Sequence, residues 1–504
     1  MRKTLLILTA VLLVFAVLPA FSEGQRAPDF LMEGYDGDGT GHDWESNLFF
    51  QRMQERTGIS FQFRQYNDWD QWSARKQAIL QGEDLPEVLF KAELSASEIR
   101  KMAEAGVLID LKPYLAEYAP DLWTRLEAHP EDLAAVTMED GSIRALPSFN
   151  ELPNNDLMWI NSDWLKNLRL DPPKTAEEMT EVLRAFKTGD PNRNGKTDEV
   201  PLTFIGMWEL RFLGHAFGII DNDWYLSVRD GKVTSSLASE ENRAFLTWLH
   251  QLWQEELLDH RGFINMDSLR QVTDEKAEMI YGVMLSTTPL TVIPAASLSR
   301  YSVLEPLAYE GKQVYRDLLG KLTRGTFAVT SACREPEKLV SWVNYLYTRE
   351  GSLLMQAGLE GEEYFWNEDG RWEWMADLQT VANEVLPNAT INEGGTPPGV
   401  VEMDFQLQYA DDSTRRLIEQ MSLAAGYAVQ PFPPVNLSGE DEARAAKLQE
   451  SIGPYAEQTM AAFVTGDLEI SDENWAAFTE GLEARGLSEM TALWQRYIGK
   501  GEEQ

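Results

Sequence analysis

The sequence lacks several residue types and patterns that many function classes require. Its 504 residues include one cysteine, Cys333, so an internal disulfide cannot form. The histidines show neither metal-ligand spacing nor the pairing with Ser or Cys that nucleophilic catalysis needs; they are His42, His129, His215, His250 and His260. Basic residues are also scarce, 44 against 81 acidic ones, giving a net charge of -37. This charge, spread along the chain, argues against nucleic acid and anionic lipid surfaces as partners.

Beyond the first residues, the sequence has no apolar run long enough to cross a bilayer. The N-terminus itself has a basic head, Met1-Arg2-Lys3, and an apolar run from Leu5 to Leu18 followed by small residues up to Ser22. This pattern is typical of a secretory signal peptide, which we predict at residues 1–22. No cysteine lies near the predicted cleavage point, so a lipid anchor is not expected. The mature protein is therefore expected to be soluble and periplasmic or secreted.

Residues 190–201 form the most specific local pattern, a loop suited to a hard cation. Oxygen-bearing side chains alternate around a glycine bend, and the predicted metal ligands are Asp190, Asn192, Asn194, Lys196 through its carbonyl, Asp198 and Glu199. A shell made only of oxygen atoms favours structural calcium over zinc. The loop begins like an EF-hand, but Pro201 replaces the final glutamate and a strand follows instead of a helix. The alternative interpretation is a solvated turn rich in Asn, Gly and Asp.

Alternating strand and helix patterns predict an α/β fold. Phe61–Tyr66 and Val88–Phe90 are predicted strands, and Ser95–Ala105 is a predicted helix. Thr175 begins a capping-box sequence at the start of the helix that leads to the cation loop. The chain is too long for one hydrophobic core, so two lobes are expected, and the region from about residue 413 to the end is predicted to be mostly helical.

Several segments, taken in order, are similar to a known family. They are residues 82–90, 106–114, 140–147, 159–165, the cation loop, 336–347 and 350–361. Together they resemble the extracellular solute-binding proteins of ABC importers, in the carbohydrate-type family. The resemblance implies a two-lobe periplasmic-binding-protein-like fold with a hinge and a helical C-terminal region. With chain crossings near residues 148, 310 and 352, the N-terminal lobe would contain 23–148 and 310–352, and the C-terminal lobe 149–309 and 353–504.

The same resemblance implies a function. The protein would be a monomeric receptor, not an enzyme, that captures a carbohydrate, expected to be an oligosaccharide, between its lobes and delivers it to an ABC transporter permease. The cation loop looks like a structural calcium-binding loop of family members that bind large acidic or complex oligosaccharides.

A sugar receptor needs aromatic side chains for stacking and planar polar groups for hydroxyl contacts. The aromatic candidates lie in predicted loops or strands, and the polar ones near the expected cleft rim; they are Trp69, Trp208, Tyr281, Trp366, Asp84, Asn154 and Asn155. Arg211 or Arg324 is a candidate partner for the carboxylate of an acidic sugar. The alternative for the aromatic residues is a place in the core, and for the polar residues ordinary turn chemistry.

Two other function classes compete with the receptor. An exported glycoside hydrolase or lyase would need two carboxylates at a defined separation, and a chain with 81 acidic residues will contain such pairs by chance. A calcium-stabilised adhesive surface protein would be expected to repeat its modules, and no internal repeat is present.

Overall fold

The computed structural model describes residues 28–498 except 41, 153–155, 264–279, 290–291, 317–320, 434 and 436. The predicted signal peptide, Asn154 and Asn155 lie outside the described residues.

Within the described residues, the strands form two main sheets and three two-stranded ones. In chain order they are β1 Phe30–Tyr35, β2 Phe61–Tyr66, β3 Val88–Phe90, β4 Leu146–Asn150, β5 Leu157–Asn161, β6 Val200–Thr203, β7 Leu226–Arg229, β8 Lys232–Ser235, β9 Tyr281–Ser286, β10 Tyr301–Val303, β11 Tyr315–Arg316, β12 Leu322–Val329, β13 Tyr364–Trp366, β14 Trp372–Trp374, β15 Gly399–Val401 and β16 Ala428–Val429.

Helices cover both main sheets and form the end of the chain. They are α1 Leu48–Thr57, α2 Trp69–Leu80, α3 Ala96–Glu104, α4 Lys112–Tyr118, α5 Pro120–Ala128, α6 Pro130–Val136, α7 Ser162–Leu168, α8 Ala176–Thr188, α9 Gly206–Leu210, α10 Glu240–Gln254, α11 Pro336–Asn344, α12 Arg349–Ala357, α13 Leu378–Thr380, α14 Leu386–Ala389, α15 Met403–Leu407, α16 Asp412–Ala425, α17 Gly439–Thr465, α18 Asp472–Ala484 and α19 Leu487–Gln495. Short 3-10 helices cover Arg211–Phe217, Ala295–Arg300 and Tyr345–Tyr347, and Val381–Val385 is a π-helix.

The first lobe is built on a sheet with the order β15-β4-β12-β3-β1-β2. Strands β1, β2 and β3 run parallel, whereas β12 is antiparallel to both of its neighbours. Its core is rich in aromatic side chains that meet edge to face; the ring centroids of Trp44 and Phe90 are 5.5 Å apart, and those of Phe61 and Trp342 5.1 Å. Such packing contributes stabilisation beyond area burial alone.

The second lobe is built on a smaller sheet with the order β10-β5-β9-β6. Strand β6 is parallel to β9, and β5 is antiparallel to β9 and β10. The core of this lobe continues into the C-terminal helices, because Phe463 of α17, Phe478 of α18 and Leu493 of α19 are buried in the same cluster as Leu202 and Val283. The predicted helical C-terminal region is thus confirmed.

The chain passes between the lobes three times. It leaves the first sheet after Asn150 and enters the second at Leu157; it returns between β11 and β12, and leaves again after β15. The third passage differs from the predicted one near residue 352. Leu354 and Val400 are buried in the core of the first lobe, because β15 adds a parallel strand beside β4. The segment from residue 353 to β15, expected in the second lobe, is therefore anchored in the first.

Candidate functional site

The strand register shows which sheet edges face the passages between the lobes. In the first sheet Phe90, the last residue of β3, is level with Phe327 and Leu146, so the rest of β4 extends beyond the carboxyl end of β3. In the second sheet Leu157, where the chain arrives, pairs with Ser286 at the carboxyl end of β9. The carboxyl edges of both sheets therefore border the passages, which is where open α/β sheets bind ligands. We call the space between these two edges the cleft.

Trp69 lies at the first-lobe edge of the cleft. Asp68 caps the N-terminus of α2 and places Trp69 in its first turn, with 42% of the tryptophan exposed. The backbone nitrogen of Trp69 donates to Asp38 Oδ1 at 2.7 Å. The indole meets the Tyr35 ring edge on at 5.2 Å, and Lys76 Nζ lies 4.8 Å from the indole centroid. The ring is thus exposed but held in a fixed orientation.

Trp208 lies at the second-lobe edge, in the short helix α9 that follows β6. Its neighbours Met207 and Leu210 are buried in the core, and Glu209 Oε2 accepts from the Ile205 backbone nitrogen at 2.6 Å. Trp208 itself is 44% exposed. Of the tryptophans in the described ranges, Trp69 and Trp208 have the largest exposed fractions, and they come from the two edges that border the cleft. An exposed indole on each side is a surface on which a sugar ring can stack.

Tyr281 and Asp84 lie at the amino edges of their sheets and not at the carboxyl edges that border the cleft. Tyr281 begins β9 and pairs with Val200 at the amino edge of the second sheet, opposite to Trp208. Its carbonyl oxygen accepts from the Tyr301 hydroxyl at 2.6 Å. Asp84 precedes the amino end of β3 and contacts Arg64 at 2.6 Å. The structure does not bring these two residues to the edges that carry the exposed tryptophans.

Trp366 belongs to a small aromatic cluster in the β13–β14 hairpin. Its half-buried ring meets Phe405 at 6.2 Å and Tyr364 at 6.4 Å, both edge on, and Trp372 stacks on Phe405 at 4.5 Å. These contacts give Trp366 a packing role that does not require a ligand.

The two candidate arginines have partners within the protein. Arg211 lies 3.7 Å from the centroid of the Tyr225 ring and contacts Asp221 at 3.1 Å. Arg324 donates to the carbonyl oxygen of Ala135 at 3.2 Å, and burial lowers the pKa of its guanidinium. Both side chains are therefore engaged by groups of the protein itself.

A buried ionic cluster at the first-lobe edge was not found from the sequence. Asp36 accepts from Lys91 Nζ and contacts His42 Nδ1, each at 2.5 Å, and all three side chains are buried. Burial opposes ionisation of Asp36, but hydrogen bonds and charge from His42 and Lys91 hold the pKa of its carboxyl below the ordinary value. Burial lowers the pKa of Lys91. His42 is six residues from Asp36, but Lys91 is 55 residues away, and the three fit no periodic pattern.

The same cluster holds a later segment of the chain against this edge. Lys91 Nζ also donates to the Glu393 carbonyl oxygen at 2.7 Å, and Thr396 donates its backbone N–H to Glu93 Oε1 at 2.6 Å. Gly394 has a φ of +79°, and a Cβ at this position would lie 1.7 Å from the carbonyl oxygen of Asp36. Only glycine permits this close approach.

The predicted cation loop connects α8 to β6 at the amino edge of the second sheet, away from the cleft. Asp190 accepts the backbone N–H groups of Asn194 and Gly195 through its carboxylate, at 3.0 to 3.3 Å. Asn194 donates its side-chain amide to Asp198, at 3.1 Å to each oxygen. The loop is therefore folded around the residues that the sequence predicted as ligands.

Glu199 provides a test of whether the loop fits a cation. Its Oε1 atom is buried without a hydrogen-bond partner, and burial together with the charges of Asp198 and Asp190 raises the pKa of its carboxyl. A hard cation would relieve both effects, so the donor set fits calcium. In the arrangement described, however, no group of three or more His, Cys, Asp or Glu side chains converges as metal ligands within the described ranges.

Comparisons with known proteins show what this chain is similar to. The model of the bacterial extracellular solute-binding protein family matches residues 41–212. The fructooligosaccharide ABC transporter substrate-binding protein FusA of Streptococcus pneumoniae is 28% identical over 486 residues, which cover 90% of this chain and 87% of FusA. The structure of FusA in complex with kestose has a TM-score of 0.73 at 26% identity and covers 94% of this chain and 99% of FusA. The chain is thus similar to bacterial extracellular solute-binding proteins over nearly its whole length.

These similarities confirm the resemblance drawn from the sequence, and the two-lobe fold is confirmed with it. An HMO-binding, ABC-transporter-associated solute-binding protein from Bifidobacterium longum infantis has the same fold, with a TM-score of 0.79 at 19% identity, covering 94% of this chain and 98% of that protein. A structure of a FusA EF-hand mutant in complex with fructo-nystose is also similar, with a TM-score of 0.71 at 26% identity, and covers 94% of this chain and 99% of FusA. Within the described ranges, each helix of this protein is too short or too polar to span a membrane.

Proposed function

We propose that this solute-binding protein is the receptor of an ABC importer, that it captures an oligosaccharide in the cleft, and that it presents the sugar to a membrane permease. The observation that carries the proposal is the pair of exposed tryptophans, Trp69 and Trp208, on the two carboxyl edges that border the cleft. The similarity to FusA, a fructooligosaccharide-binding protein, supports the same function.

The mechanism that we propose is closure of the lobes around the ligand. A sugar ring stacked on Trp69 and another part of the same molecule on Trp208 would contact both lobes at once. Because these contacts form together only when the lobes approach each other, ligand binding shifts the population towards the closed form. The permease then recognises the closed form. The protein acts in this scheme as a monomeric, exported receptor and not as an enzyme.

We further propose that the loop from Asp190 to Glu199 holds a structural calcium ion. Asp190, Asp198, Glu199, the two asparagines and the Lys196 carbonyl would supply oxygen ligands, and the buried Glu199 Oε1 atom supports this assignment. The ion would tie the end of α8 to the start of β6 and stabilise the lobe without touching the sugar.

The receptor proposal is tested by titrating the protein with a panel of oligosaccharides, beginning with kestose, in an isothermal calorimeter. Trp69→Ala and Trp208→Ala should each weaken binding by about 10- to 100-fold, since each removes roughly 1.5 to 3 kcal/mol of stacking and apolar contact. Tyr281→Leu, at the opposite edge of the second sheet, is the control and should bind like the wild type.

Chromatography of each sugar after incubation completes the experiment. Sugar recovered intact supports a receptor. Shortened sugar would show that the protein is an enzyme, and undiminished affinity in both tryptophan variants would remove the two residues from the binding site.

A further inference from the structure

The first-lobe edge of the cleft carries an excess of carboxylates around Trp69. Asp38, Asp68 and Asp70 are exposed, Glu93 is half-buried at the end of β3, and the Glu393 side chain is 47% exposed. They come from separate segments that meet only in the folded lobe. The surface next to the indole is therefore negatively charged.

Two lysines of the described residues close to this edge are paired with carboxylates. Lys91 contacts Asp36 at 2.5 Å, and Lys76 contacts Glu98 at 2.8 Å. Neither side chain is more than 4% exposed. Their charges are thus used to hold the first lobe together, and they leave the negative charge of the exposed acids in place.

Two arginines on the second-lobe side of the cleft are likewise paired with a carboxylate. Arg211 and Arg316 both contact Asp221, at 3.1 and 3.2 Å, and all three side chains are at most 9% exposed. Both guanidiniums are buried against this one shared carboxylate, so neither is exposed to a ligand in the cleft.

Asp38 is the acid best placed to touch a sugar on Trp69. Its Oδ1 atom is held by the backbone nitrogen of Trp69 at 2.7 Å. Tyr35 also hydrogen-bonds to Asp38, and burial and this bond raise the pKa of the Tyr35 hydroxyl. An ionised carboxylate has about four acceptor positions on its two oxygens, so these two bonds leave acceptor positions for further donors.

We propose that the ligand of this cleft is an uncharged oligosaccharide, that Asp38 accepts hydrogen bonds from the hydroxyls of the sugar ring stacked on Trp69, and that the acidic edge excludes sugars bearing uronic acids. Sugar hydroxyls are good donors to a carboxylate, whereas a uronate would bring a second negative charge to the same edge. This inference rests on the proposed receptor function. The cation loop and the two candidate arginines had pointed to acidic sugars as candidate ligands, and the present inference differs from that expectation.

The test compares neutral and acidic oligosaccharides of matched length. Neutral trisaccharides, kestose among them, and trigalacturonate are titrated by calorimetry at about 10 mM and about 150 mM salt, since the screening length falls from about 30 to about 8 Å over this range. We expect saturable binding of a neutral sugar and at least about 100-fold weaker binding of trigalacturonate, with the difference larger at low salt.

The outcomes separate the two proposals. If trigalacturonate binds as tightly as the best neutral sugar, the inference is overturned and the receptor function stands. If no sugar of either class binds, the receptor function is overturned, and the inference with it.

The role of Asp38 is tested with Asp38→Asn, which keeps an oxygen acceptor for the Trp69 backbone nitrogen but removes the charge. Affinity for the neutral sugar should fall by about tenfold, as expected for loss of a hydrogen bond to a charged acceptor. The matched control is Asp84→Asn, in the same lobe and paired with Arg64 away from the cleft edge. Unchanged affinity in Asp38→Asn, with normal melting, would remove Asp38 from the site.

Discussion

The effect of Glu199 on the stability of the folded protein should change sign when a metal ion binds to the cation loop. Burial and the charges of Asp198 and Asp190 raise the pKa of its carboxyl in the folded protein above the value in the unfolded chain. The proton is therefore held more tightly in the folded state. The stability that this provides is present at low pH and is lost as the pH rises through the raised pKa. At neutral pH, ionised Glu199 destabilises the metal-free lobe.

Calcium should reverse this effect. A calcium ion at a free concentration of about 100 times its dissociation constant stabilises the folded state by about 2.7 kcal/mol. For a lobe of this size each kcal/mol corresponds to about 2 to 4 °C, so the melting temperature should rise by roughly 5 to 10 °C. Scanning calorimetry with calcium and with a chelator, near neutral pH, measures the difference directly.

Glu199→Gln separates the metal effect from simple loss of a contact. The variant should lose most of the calcium response, and in chelator it should melt at a higher temperature than the wild type, because the buried charge is gone. Asp171→Asn, an exposed acid of the same lobe outside the loop, should respond to calcium like the wild type. Equal melting temperatures of the wild type with and without calcium would refute the assignment.

Three further predictions concern packing and the relation between the lobes. Lys91→Met should reduce the free energy of unfolding, measured in urea titrations, by about 3 to 5 kcal/mol, because it leaves Asp36 buried with one partner fewer. A loss below about 1 kcal/mol would contradict the conclusion that the Lys91–Asp36 ion pair stabilises the lobe. Arg100 of α3 and Glu442 of α17 form an ion pair across the lobes at 2.7 Å. Arg100→Glu should therefore change the radius of gyration measured by solution scattering, and adding Glu442→Arg should restore it. An unchanged radius in the single variant would argue against the contact. Trp366→Ala should lower the free energy of unfolding by about 2 kcal/mol and leave sugar affinity unchanged; a large loss of affinity at normal stability would return this residue to the cleft.

Local signals in the sequence were sufficient for individual elements. Thr175 caps α8 as predicted, with its side chain accepting from the Glu178 backbone nitrogen at 3.2 Å, and the cation loop lies between that helix and a strand, β6. Trp69 follows a strand, as predicted, and begins a helix capped by Asp68. Such features depend on residues a few positions apart, and the sequence shows those directly.

The sequence by itself thus determined the fold class, the family resemblance, the position of the cation loop and two aromatic candidates that prove to be exposed. Tertiary structure decided the rest. It placed Tyr281 at the edge opposite to Trp208, because strand direction and register set which end of a strand faces the cleft. It joined Asp36 to Lys91, 55 positions apart, and packed β15 beside β4. These contacts depend on which segments bury their apolar faces together, and that is a property of the whole chain and not of any local pattern.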